Sequence, residues 1–129
     1  MVKKSFAKGH MICEENSPGS EMYIINEGKV KVYKTLDGEE LHLGFLEKGE
    51  FFGEMVLLLQ GSRTASVKAV EDTELVALSR EDLMTKIRDD PHFGMDMITT
   101  LATRLADAHE VICDLAGIKK SLEMLYSSS

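Results

Sequence analysis

The sequence predicts a mainly β domain, a sandwich or barrel of short strands, followed by C-terminal helices. Three observations carry this reading. Up to about residue 78 the β-rich runs are short and cut by glycine, Asp37-Gly38 stands between two of them as a hairpin signal, and after Ser79 the apolar spacing becomes helical.

The strand half is read in order. Tyr23 to Ile25, Val30 to Tyr33 and Leu41 to Phe45 are separated by Gly28, Asp37-Gly38 and Gly49. Asp-Gly between alternating apolar runs favours a tight hairpin, because glycine takes a positive φ without steric cost. The later runs "TASVKAV" and "TELVALS" add two more strands. Many short strands with glycine turns at this spacing fit a sandwich or barrel better than a parallel sheet with crossover helices.

The helical half opens with Ser79 and, three residues on, Asp82, a capping-box-like pair that satisfies free N–H groups of a first turn. A short helix over 80–89 is expected, ending before Pro91. Asp90-Pro91 then reads as an N-cap followed by proline at the first helical position, where the missing N–H is no loss. From there Ile98, Leu101, Leu105, Ala108, Ile112 and Leu115 recur in alternating steps of three and four, a heptad seam suited to a partner helix. A helix from Pro91 to about Leu125 would run roughly 50 Å, whereas a domain of this size has a radius of gyration of about 14 Å. A homodimer through this helix is therefore expected. The alternative is a helix broken at Gly117 that packs on its own barrel. Two parts follow, a β-barrel over 1–90, with its helix, and a long helix over 91–126.

Bulk properties narrow the function. A net charge of −7 and a pI near 5.1, with Lys and Arg scattered, argue against direct nucleic-acid binding. No apolar run follows the early lysines and none is long enough to span a membrane, so an unexported cytoplasmic protein is expected. Cys13 and Cys113 lack a C-x-x-C spacing and are read as reduced thiols. His10, His42 and His92 share no ligand spacing, so no metal is expected. Met95 and Met97 read as fillers of core or helix-barrel gaps, and Leu57, Leu58 and Leu59 as core.

The chemistry concentrates in "FFGEMVLLLQGSRTAS", residues 51–66. Strand, glycine, short helix, loop and strand form a cassette over 49–67. A helix start offers unpaired N–H groups, and Gly53 lets a ligand come close to the backbone. Glu54 suits sugar hydroxyls, while Arg63 has a planar fork of donors that grips two phosphate oxygens at once. Thr64 and Ser66 stand beside it with further donors. The residues alone leave two readings open: a guest carrying both an anionic phosphate and a ribose hydroxyl, or a mutual pair of Glu54 with Arg63.

"FGE", then nine residues, then "RTASV" followed by "KA" resembles the phosphate-binding cassette of the cyclic nucleotide-binding domain family, and "KGHMICEENSPGSEMYIINEGKVKV" resembles its opening strands. The resemblance implies an eight-stranded antiparallel jelly-roll barrel binding cyclic AMP or cyclic GMP without catalysis or cofactor. Glu54 would take the ribose hydroxyl, Gly53 and nearby amides such as that of Met55 would line the sugar-phosphate, and Arg63, flanked by Thr64 and Ala65, would hold the cyclic phosphate. "LATRLADAHEVICDLA" resembles the long dimer helix of bacterial regulators of the catabolite-activator and fumarate-nitrate-reductase type, whose mid-helix polar residues reach the base. The matching positions here carry Ala108 and His109, so His109 is the candidate base contact. Two rival expectations are a dimerisation module with a degenerate pocket and the sensor part of a DNA-binding regulator, since "GIKKSLEMLYSSS" is too short for a DNA-reading domain.

Overall fold

The computed structural model describes residues 1–116. Eight strands and three helices follow in the order β1 (Val2–Phe6), β2 (Met11–Cys13), β3 (Met22–Glu27), β4 (Lys29–Leu36), β5 (Glu39–Glu47), β6 (Phe51–Phe52), α1 (Glu54–Leu59), β7 (Ser66–Ala69), β8 (Thr73–Leu78), α2 (Arg80–Asp89) and α3 (Pro91–Ala116). The residues from Met1 to Thr85 make one compact unit, and a second begins at Lys86.

All strand pairs are antiparallel and fall into two four-stranded sheets, ordered β1-β8-β3-β6 and β2-β7-β4-β5. Strands adjacent in sequence alternate between the sheets except at β4 and β5, which gives the expected jelly roll. The β4–β5 hairpin turns at Asp37 (φ 52°) and Gly38 (φ 81°), and two positive φ values are what a two-residue hairpin turn needs. A bulge between Val32 and Tyr33 then skews the pair.

Period-two alternation decides the core. Val30 sits between Leu46 and Ala69 in register, and Val32 pairs with Val67, which brings their side chains to one inner face. That face joins Cys13, Tyr23, Ile25, Phe52, Leu75 and Ala77 from both sheets. Each large apolar side chain buried in this way contributes about 1.5–3 kcal/mol.

The helix signals are realised as hydrogen bonds. Asp82 N donates to Ser79 Oγ at 3.1 Å and Ser79 N donates to Asp82 Oδ2 at 3.0 Å, a reciprocal cap. The Ser79 backbone N–H holds the exposed Asp82 carboxyl below its ordinary value, and the amino terminus adds to the effect. In the second unit, α3 begins at Pro91.

Two expectations are corrected. Of the leucine run in α1, Leu57 is buried but Leu58 and Leu59 are exposed, because a six-residue helix turns only one face inward. Met97 is buried, whereas Met95, two positions back and so on another face of α3, is exposed. The lysine-rich start is strand β1, paired along its length with β8. Gly117 and the end of the expected long helix, residues 117–126, lie outside the described residues.

Candidate functional site

The cassette begins where β6 ends. Gly53 occupies the left-handed region (φ 81°, ψ 7°) and stands at the N-cap of α1 without a side-chain cap. A left-handed residue is what lets the chain turn from strand into helix in one step. Glu54 follows in the first turn, buried and engaged within the protein. At the other end Gln60, also left-handed at φ 52°, closes the helix with its N–H on the Val56 carbonyl at 3.1 Å.

The return segment is pinned by a loop that precedes β3. Arg63 N donates to Ser17 O and Asn16 N donates to Arg63 O, both at 2.8 Å, and Pro18 bridges Ser62. Glu15 N donates to the buried Ser66 Oγ at 2.9 Å. These bonds fix the backbone on both sides of Arg63.

The Arg63 side chain is buried, at 6% exposure. Its Nη1 donates to the Gly53 carbonyl at a long 3.4 Å, and its Cζ lies 5.5 Å from the centroid of the Tyr23 ring. Neither group neutralises the guanidinium charge. Among the described residues no fully buried side-chain nitrogen or oxygen lacks a hydrogen-bond partner. A buried guanidinium whose contacts are an aromatic ring and a carbonyl suits an anionic guest.

Arg63 marks its neighbours electrostatically. Burial pushes the Cys13 thiol up and the Arg63 charge opposes the rise. Burial also pushes the Tyr23 hydroxyl up to about 12, with Cys13 and Glu21 adding to the rise and Arg63 again opposing it.

The sequence-derived candidates fall into two groups. Gly53, Glu54, Met55, Arg63, Thr64 and Ala65 all belong to the first unit, and the fold brings the two ends of the cassette together. Gly53 meets Arg63 through its carbonyl, and Thr64 Oγ1 donates to Met55 Sδ at 3.9 Å. Thr64 is exposed and Ala65 half-buried. His109 lies on α3 in the second unit, half-buried. Two contributors escape the sequence reading, Gly19 and Tyr23, which both approach the guanidinium. The Pro18-Gly19 dipeptide was the available signal, since it marks a turn just ahead of β3.

Comparisons with known proteins converge on one description. The family model for the cyclic nucleotide-binding domain matches residues 3–90. The Cyclic AMP receptor protein of Thermus thermophilus is 42% identical over 107 residues, covering 82% of this chain and 50% of that protein. The CRP-like cAMP-activated global transcriptional regulator of Mycobacterium tuberculosis is 32% identical over 111 residues, covering 85% of this chain and 50% of that protein. The crystal structure of the Thermus thermophilus Catabolite Activator Protein is similar with a TM-score of 0.81 at 40% identity, over 91% of this chain and 55% of that one. The chain spans about half the length of the curated relatives it matches.

Proposed function

This chain belongs to the cyclic nucleotide-binding domain family, and we propose that it binds one cyclic AMP or cyclic GMP and reports occupancy through its C-terminal helices. The observation that carries the reading is the Arg63 guanidinium, buried against the Tyr23 ring and the Gly53 backbone carbonyl. A cyclic phosphate supplies the missing charge, and its two free oxygens match the Nε–Nη2 edge of the fork.

The neighbouring groups suit the rest of the ligand. Glu54, set at the start of α1, accepts from the ribose hydroxyl. The backbone at Gly53 and Met55 lines the sugar-phosphate, and Thr64 and Ala65 flank the phosphate. Thr64 Oγ1 meets the Met55 thioether, a weak acceptor, at 3.9 Å, which leaves its hydroxyl able to turn to a guanine amino group. His109 is the proposed base contact. Cyclic AMP is the first candidate, because it appears in the names of both bacterial relatives. No bond is made or broken in such a site, and we assign no catalytic residue.

Signalling needs a second arrangement that the nucleotide binds less tightly. One contact offers a route: Arg80 Nη1, at the first residue of α2, donates to the Leu57 carbonyl in α1 at 3.0 Å. Movement of α1 on phosphate binding is thereby passed to the start of α2. Beyond it, Ile98, Leu105 and Ile112 of the α3 seam are exposed, and we assign them to a homodimer contact. The proposed division of labour is a binding barrel over 1–90 and a reporting helix that begins at Pro91.

A melting curve with and without each nucleotide tests the reading. Ligand at a hundred times its dissociation constant adds about 2.7 kcal/mol of stability. A concentration-dependent rise in melting temperature supports a sensor; no shift with either nucleotide leaves a dimerisation module with a degenerate pocket.

A further inference from the structure

The guanidinium of Arg63 is held by groups outside the cassette. A Cβ built on Gly19 would lie 2.5 Å from Arg63 Nε, 2.6 Å from Cζ and 2.7 Å from Nη2. A point beside the edge of a guanidinium is farther from the central carbon than from its nitrogens. The three distances therefore put that point off the guanidinium plane and over its Nε–Nη2 side, so that Gly19 packs against the face beside this edge.

The Tyr23 ring supplies the second contact, with Cζ 5.5 Å from its centroid. That ring is itself fixed. It stacks on Phe52 at 5.2 Å, and its hydroxyl donates to Glu21 Oε1 at 3.2 Å. Lys4 of β1 in turn holds the same carboxylate oxygen at 2.6 Å. A chain of contacts thus runs from β1 through Glu21 and Tyr23 to the one buried arginine of the cassette.

We propose that Gly19 and Tyr23 are positioning residues for cyclic-phosphate recognition: together they fix the plane of the Arg63 guanidinium so that its Nε–Nη2 edge meets the phosphate. The inference rests on the reading that a cyclic nucleotide binds at Arg63. An arginine side chain carries large rotamer freedom, and a planar fork discriminates only when its plane is fixed. Gly19 serves by lacking a Cβ. Its φ is unexceptional and it is half-buried, so alanine there is tolerated by the backbone and displaces only the flexible end of Arg63. Tyr23 serves through its ring rather than its hydroxyl.

The test is calorimetric affinity for cyclic AMP and cyclic GMP, measured well below the melting temperature, in the parent, Gly19→Ala, Tyr23→Leu and Tyr23→Phe. Gly19→Ala and Tyr23→Leu are expected to weaken both nucleotides about tenfold and by the same factor, since the base is not involved. Tyr23→Phe keeps the ring and binds within about twofold of the parent. In an Arg63→Lys background the Gly19→Ala loss should largely vanish, because the group it displaces is gone.

A purely structural role gives a different pattern, a lower melting temperature in the variants with unchanged affinity of the folded protein. That pattern overturns the proposal, as does a Gly19→Ala protein that binds like a parent shown to bind. Tyr23→Leu empties part of the core; should it fail to fold, Gly19→Ala and the Arg63→Lys background decide alone. If the parent binds neither nucleotide, the cyclic nucleotide reading fails first and this inference goes with it.

Discussion

Gly53 and Gly38 share the same left-handed backbone, φ 81°, and differ only in their surroundings. Alanine at either position meets the same steric conflict between Cβ and the carbonyl, about 1–2 kcal/mol. At Gly38 nothing lies within 4 Å of the added methyl, so the backbone cost is the whole cost. At Gly53 the methyl would stand 2.6 Å from Arg63 Nη1, with Glu21 O at 3.4 Å and Met22 Cα at 3.5 Å. The two backbone atoms cannot move aside, so the guanidinium must. Gly38→Ala is therefore expected to lower the melting temperature by about 4–8 °C and leave nucleotide affinity untouched. Gly53→Ala should lose at least as much stability and, in addition, about tenfold or more in affinity for either nucleotide. Thermal melting gives the first quantity and calorimetric titration the second. Parent-like affinity in Gly53→Ala, or an equal affinity loss in Gly38→Ala, would refute the link between the glycine and the arginine.

Two other expectations concern Tyr23 and α3. The Tyr23 hydroxyl is raised from its ordinary 10 to about 12, so the neutral ring is the form the fold favours: its contribution is complete below pH 10 and is lost as pH rises towards 12. An alkaline titration of tyrosinate absorbance should show a late step near pH 12 that Tyr23→Phe removes; a parent in which all tyrosines ionise near 10 contradicts it. On α3, Leu105→Lys places a charge on the exposed seam and should convert a sedimenting dimer into a monomer, whereas a parent already monomeric at high concentration counts against the seam.

What was legible in the sequence was local. Asp37-Gly38 specified a hairpin because its turn demands positive φ from both residues, and Ser79 with Asp82 specified a helix start because their side chains bond each other's backbone. The Gly53 to Arg63 cassette was legible because its glycine and its charges cannot be explained as core. What stayed hidden was tertiary. β1 carries lysines at two adjacent positions, Lys3 and Lys4, where a core strand would place apolar residues, and its pairing with β8 makes it a strand. The leucines of α1 are uniform in sequence, and their inequality arises from which way a single turn and a half faces. Gly19 and Tyr23 lie far from Arg63 along the chain, and no periodicity connects them to it. The approach of Gly19 to Arg63 accompanies the antiparallel contact of residues 16–18 with 62–63, which a linear pattern does not record.

The most direct trial of the account is titration of cyclic AMP and cyclic GMP into the parent and into Arg63→Ala. The account predicts saturable binding of one nucleotide per chain in the parent, weakened about ten- to a hundredfold by the substitution, as loss of a charged, paired hydrogen bond requires. Undiminished binding by Arg63→Ala, or no binding of either nucleotide by the parent, would contradict it.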